Sequence, residues 1–441
     1  MVQHRSARWT AVVLMVAVLP ATLVSCSETA PTGETTPVGS LDPQADVTIT
    51  MWHGQTAEAA NILRSLADEY EGTHPNVTIE TASGASTTDD LLQKISAGFA
   101  SDSYPDITYA YGSWATELGL SGRTLDISGN VDDAALDWAD FPEASRKTAT
   151  IEDRVIGFPA VVGNLGLIYN KDLFDAAGLA YPTNEWSWDD FRSAAQELTD
   201  AENSIFGTAY PVNGSEDTTW RLWPQLWQNG GEILTEDQTG AAFDSDAGVA
   251  ALTYWQQLAQ EDGSVYLDQN GERYGPLFNS GAIGMLITGP WVLYDLKQQD
   301  VNYGVTYLPG TEGDHQTISG SDLWVLFDHG DEQRAAAAYD FTRWLTLAEQ
   351  DARWNVALGN LPLRQSEGQT KAFQDYVVDY PGADVFFANL QNAKNPRPTV
   401  EGYVGLSRAI GTQISRVLLG AEDPASAMEK AQADANLELA G

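Results

Sequence analysis

Alternation opens the folded part of this chain: Val47-Thr48-Ile49-Thr50-Met51-Trp52 reads as a buried strand. Thr56 to Glu71 then places Ile62, Leu63, Leu66, Ala67 and Tyr70 on one helical face. Val77 to Thr81 predicts a second strand. A second amphipathic helix carries Leu91, Leu92, Ile95 and Phe99, and Pro105 to Ala110 predicts a third strand. Strands alternating with helices of this length indicate βαβ units and a mostly parallel sheet, whose ligands bind beyond the carboxyl ends of the strands. The middle of the chain repeats the alternation, with strands at Leu165–Tyr169 and Ile283–Ile287. Helices are expected at Trp188–Leu198 and Asp246–Gln260, the latter capped by Asp244 or Ser245.

The start of the chain has a different pattern. Arg5 and Arg8 precede an unbroken apolar run from Ala11 to Leu19, too short to span a bilayer, and Leu23-Val24-Ser25-Cys26 follows. A basic segment, a short apolar segment and a cleavage site among small residues predict a secretory signal peptide over residues 1–25. The tetrad resembles the lipobox of bacterial lipoproteins, which implies cleavage before Cys26, lipidation of its sulfur and a tether at the extracellular face of the cell membrane. Cys26 is the only cysteine, so no disulfide framework exists. Ser27 to Ala45, with Pro31, Pro37 and Pro43 and almost nothing apolar, reads as an extended, mobile tether.

Charge narrows the partners. The full chain carries a formal charge of −39, and removal of residues 1–25 takes away two arginines and no acid. Such a surface repels nucleic acid and anionic headgroups, leaving the lipid as the expected membrane contact. Catalytic signatures do not emerge. His4, His53, His74, His315 and His329 show no metal-binding spacing, and no phosphate loop or nucleophile elbow is present. Asp244-Ser245-Asp246-Ala247-Gly248 lacks the later ligands of a calcium loop and reads as a helix cap. The expectation is a binding protein without metal or cofactor. The contrasting class, a secreted glycoside hydrolase, requires paired carboxyls in a cleft.

Four ordered segments carry a resemblance. They are Pro159 to Phe174, containing Tyr169-Asn170-Lys171-Asp172; Gly281 to Met285 leading to Thr288-Gly289-Pro290-Trp291; Val301 to Pro309; and Ser319-Gly320-Ser321-Asp322-Leu323-Trp324-Val325. From about Val47 to the C-terminal helices, the chain resembles the family 1 extracellular solute-binding proteins of ABC transporters. That group includes maltose-binding and glycerol-3-phosphate-binding proteins. The resemblance implies a two-lobed α/β fold of the periplasmic-binding-protein type (type II), with ligand in the cleft and three inter-lobe crossings. These fall near Val161–Gly163, within Asn302–Leu308 and near Asn360–Pro362. The first lobe then combines 46–161 with 308–360, and the second 162–307 with 361–441. The implied partners are a small-molecule carbohydrate and the permease subunits.

Sugars offer C–H faces to aromatic rings and hydroxyl edges to polar groups. By resemblance, Trp220 and Trp291 match sugar-stacking positions. His53 and Gly54 follow the first strand, and Tyr111 and Ser113 follow the third. Asn164 follows the first crossing. Gly320, Ser321, Asp322 and Trp324 face the cleft from the first lobe, with Arg364 and Tyr403 completing the candidates. Gly163 and Ser113 stand where the maltose-binding pattern has acids, which argues against maltose itself. Within the family, a phosphorylated polyol such as glycerol 3-phosphate is the alternative ligand, and Arg364, Arg397 and Arg408 are its candidate phosphate partners.

Overall fold

The computed structural model describes Met1 and residues 36–441 except Thr56, Ser86 and Thr87. The signal segment and Cys26 lie outside the described residues.

Two sheets organise residues 36–441. β1 (Val47–Trp52), β2 (Val77–Ala82) and β3 (Ile107–Ala110) are joined by helices Ala57–Thr73 and Thr88–Ser101 and pair in parallel about β1. Leu63, Leu66, Ala67 and Tyr70 are buried, so the apolar stripe of the first helix is the face laid on the sheet. Only Leu165 separates β4 (Gly157–Asn164) from β5 (Gly166–Asn170). β6 (Met285–Thr288) and β7 (Tyr303–Thr306) flank β5, both antiparallel to it. β8 (Ile318–Leu326) returns to the first sheet, antiparallel to β3 and β4, with β9 (Asn395–Pro396) parallel to its start. The parallel reading therefore holds for β1 to β3 and not for the second sheet. A two-residue period reports which face is buried but not the direction of the neighbouring strand.

Each sheet has its own core. Ile49, Ile79, Ile107, Val162 and Leu323 belong to the first. In the second sheet Leu167 and Tyr169 face one apolar cluster while Ile168 faces another, as alternation requires. Leu308 and Ile318 pack in the second lobe, and Leu323 in the first. The second transfer thus runs along the start of β8, later than the sequence boundary at 308. Leu363, expected beyond the third crossing, packs in the first core.

The end of the expected tether is not free. Val38, Leu41 and Ala45 pack against the first core, and the Val38 N–H donates to Asn130 Oδ1 at 2.9 Å. Asp42 N–H donates to Gln333 Oε1 at 2.7 Å, and Asn76 Nδ2 donates to the Ala45 carbonyl at 2.9 Å. Three small apolar side chains and these clasps give residues 36–45 enough contacts to lie along the lobe. A cavity of about 880 Å³ sits beneath this strap, lined by Val38, Pro43, His74, Asn130 and Tyr339 among others.

Candidate functional site

The β4 and β8 strands pair Gly163 with Gly320 where the chain passes between lobes. Two tryptophans lie over this glycine pair. A Cβ on Gly320 would sit 2.8 Å from Trp220 Cζ2, and one on Gly163 would sit 3.5 Å from Trp291 Cζ3. The missing side chain at Gly320 is what allows the Trp220 ring to approach its strand, whereas Trp291 would meet a Cβ on Gly163 at ordinary contact distance. Trp220 ends the helix Glu216–Trp220, and Trp291 sits in the turn Pro290–Val292 directly after β6. Their rings are stacked, with centroids 5.6 Å apart and planes 28° from parallel. Trp220 is 5% exposed and its buried indole N–H has no partner, whereas Trp291 is half-buried.

A charged network backs Trp220. The Arg397 guanidinium lies 4.6 Å from the Trp220 ring centre, and Arg397 Nε donates to Glu216 Oε1 at 2.7 Å. Glu216 also accepts from the Tyr403 hydroxyl at 3.1 Å and from the Ser407 hydroxyl. Trp223 Nε1 donates in turn to Tyr403 Oη at 3.3 Å. Across the lobe boundary, Asp322 accepts from the Tyr109 hydroxyl at 2.5 Å and from the Gly112 N–H at 3.2 Å. Burial raises the Asp322 carboxyl above its ordinary range, and the Arg397 charge is the leading influence opposing this.

The other predicted positions divide. Tyr111 is half-buried, 6.1 Å from Tyr109 and 4.8 Å from Trp114 between ring centroids, and Ser113 is buried in the turn Gly112–Trp114. These residues share the loop that ties to Asp322. His53 and Gly54 close β1, their N–H groups bonded to the Ala82 and Ser83 carbonyls. His53 is buried, burial lowers its pKa, and its Nδ1 accepts from the Gln55 N–H at 3.1 Å, which puts the ring proton on Nε2. Ser321 points away from Gly320 and Asp322, its hydroxyl 2.7 Å from that of Ser145.

Four candidates are engaged elsewhere. Asn164 is wholly buried, donating to the Phe386 carbonyl at 2.9 Å and accepting from Asn389 at 3.0 Å. It fastens the crossing to the second lobe and has no exposed edge for a sugar. Trp324 is 1% exposed, packed edge-on against Tyr109 in the first core. Arg364 donates to the carbonyls of Thr346, Leu136 and Asp137 and covers the Phe141 ring at 4.3 Å. It is a first-lobe brace. Tyr403 is buried and reaches the site only through Glu216.

Sequence reasoning missed Glu216 and Tyr109, and considered Arg397 only as a phosphate partner. For Glu216 a signal existed: it precedes Trp220 by one helical turn, so both project from one face. Among the described residues, no group of three or more His, Cys, Asp or Glu side chains is placed to hold a metal. No helix among them is long and apolar enough to cross a membrane.

Two lobes joined by crossing strands, with aromatic rings and polar side chains gathered at the junction, define a binding protein that encloses its solute. The residue pattern of the bacterial extracellular solute-binding protein family is matched by residues 53–352, and the chain belongs to that family. It is similar to a binding protein of Brucella abortus, 24% identical over 395 residues that cover 87% of this chain and 91% of that protein. It is also similar to the sn-glycerol-3-phosphate-binding periplasmic protein UgpB of Pectobacterium atrosepticum, with 23% identity over 89% of this chain and 91% of that one. Among solved structures, the cyclic alpha-maltosyl-1,6-maltose binding protein of Arthrobacter globiformis superposes with a TM-score of 0.77 at 27% identity. That match covers 90% of this chain and 99% of that chain.

Proposed function

We propose that this chain is the extracellular substrate-binding component of a carbohydrate ABC importer. It captures a mono- or oligosaccharide between its lobes and delivers it to the permease. The observation that carries this reading is the Trp220–Trp291 pair over the crossing glycines, with the unpartnered Trp220 N–H, and the Asp322 carboxyl two residues beyond Gly320 on β8. Flat rings take the C–H faces of a sugar while a free donor and a carboxyl take its hydroxyls. The sugar-binding relative supports the assignment. The test is the melting temperature across a panel of neutral carbohydrates, since ligand at 100 times its dissociation constant adds about 2.7 kcal/mol. A panel with no stabilising member defeats the reading.

Capture between lobes requires them to move together, because a ligand favours the state in which it touches both. Small-angle X-ray scattering should record a smaller radius of gyration at saturating ligand. An unchanged profile under those conditions counts against closure.

The same reading includes a lipid anchor at Cys26, after removal of residues 1–25. Cys26→Ser should leave the protein unprocessed or release it from the membrane fraction, with the folded domain unchanged. A processed variant that still sediments with membranes would rule the anchor out.

A further inference from the structure

One cation lies over Trp220, and two carboxyls act on that cation, Glu216 by a direct ion pair and Asp322 from β8. Arg397 is the cation, and its Nε is committed to Glu216 at 2.7 Å. Glu216 belongs to the second lobe, where the hydroxyls of Tyr403 and Ser407 also donate to it. Asp322 belongs to β8 of the first sheet, with two donors of its own from Tyr109 and Gly112. The other arginines near in sequence are spent or turned away. Arg221 is 3% exposed and paired with Asp217 at 2.9 Å. Arg364 braces the first lobe, and Arg408 is exposed on the helix Tyr403–Leu418.

This arrangement has a consequence for ligand charge. A carboxylate only accepts hydrogen bonds, so what it takes from a ligand must donate. A hydroxyl donates. A phosphate dianion or a uronate carboxylate does not, and would bring further negative charge beside two acids. At about 6 Å and an effective dielectric near 20, one such like-charge pair weakens binding on the order of 100-fold. The buried Trp220 N–H, the remaining donor on the ring, is satisfied equally well by a hydroxyl oxygen.

We propose that Glu216 and Asp322 are charge-specificity determinants, which neutralise Arg397 from both lobes and confine the cleft to uncharged polyhydroxyl ligands. The inference rests on the solute-capture reading and deepens it. It sets this chain apart from the glycerol-3-phosphate-binding relative that it resembles.

The experiment is calorimetric titration of the mature protein with neutral sugars and, separately, with sn-glycerol 3-phosphate and glucose 6-phosphate. It is repeated with Asp322→Asn and Glu216→Gln. The wild type is expected to bind neither phosphate ester at millimolar concentration. Each variant should bind sn-glycerol 3-phosphate about tenfold or more tightly than the wild type does, because one repelling charge is gone and, in Glu216→Gln, Arg397 is released. Where loss of the Tyr109 and Gly112 bonds lowers the yield of folded Asp322→Asn, Glu216→Gln carries the comparison from the other lobe. Sub-millimolar binding of either ester to the wild type overturns the proposal. So does an ester affinity that rises in neither variant. A wild type that binds no neutral sugar, with variants that do gain the ester, defeats the carbohydrate reading and upholds the charge barrier.

Discussion

Trp291→Ala is expected to lose ligand affinity by about 1–3 kcal/mol, roughly the value of burying one large apolar side chain. The melting temperature of the unliganded protein should barely move. Trp291 is half-buried and leaves a solvated cleft wall when truncated, with no buried charge exposed. Trp220 is placed differently from Trp291. At 5% exposure it fills the space over Gly320 and packs against Trp291 and Arg397. Trp220→Ala should therefore weaken both binding and folding, the latter by about 3–5 kcal/mol, as for other buried aromatics. Trp324→Ala is the matched control, since that ring lies wholly within the first core. It should lower the melting temperature while affinity per folded molecule is kept. Full affinity in Trp291→Ala, together with a stability loss equal to that of Trp324→Ala, would assign Trp291 to the core and remove it from the site.

The contrast among these tryptophans shows what local sequence can carry. Trp291 follows Gly289-Pro290 at a strand end and lies half-buried over the crossing glycine Gly163. Trp324 lies inside β8 between Leu323 and Val325, and such a position is covered as soon as strands pair on both sides. Its burial depended on β3 and β4, which lie far away in the chain. The helices announced themselves more clearly. Ser187 and Asp190 form a reciprocal cap on the helix Trp188–Leu198, and Ser245 caps Asp246–Gln256, each written within four residues.

Polar roles were harder to read because their partners are distant. Asn164 looked able to grip vicinal hydroxyls, yet its partners are Phe386 and Asn389, more than 200 residues on. Arg364 reads as a charge beside a crossing, but carbonyls of Thr346, Leu136 and Asp137 take its Nε and Nη1 donors, and its Nη2 is buried without a partner. Nothing in the spacing of residues announces a carbonyl as a partner. Glu216 is the opposite case, since it stands one helical turn before Trp220 and that spacing is written in the sequence.

Raising the pH from 5 to 8 should destabilise the protein, through two acids beside the third crossing. Asp351, wholly buried on the helix Ala348–Trp354, accepts from Asn355 Nδ2 at 2.6 Å and from the Leu363 N–H at 3.0 Å. Burial pushes its carboxyl up to about 7, against an ordinary value of 3.8. Burial, and then the charge of Asp351, push Glu367 up to about 8 from 4.5. Arg364 offsets this only in part, because its donors are turned to carbonyls and burial disfavours its own charge. Between the unfolded and folded values, the folded protein holds protons that the unfolded chain has released. Stability from this source is therefore fully present below about pH 4 and is lost as pH climbs toward 7–8. For Asp351 alone the change is on the order of 4 kcal/mol across that window. Asp351→Asn keeps an oxygen for the Leu363 N–H, and the unpartnered Asn355 Oδ1 can turn to accept from the new amide. Calorimetric melting at half-unit steps of pH should show a declining wild-type curve and a flatter one for Asp351→Asn. Curves of equal slope would mean that Asp351 ionises in the folded state at no cost, and that its burial does not govern the pH response.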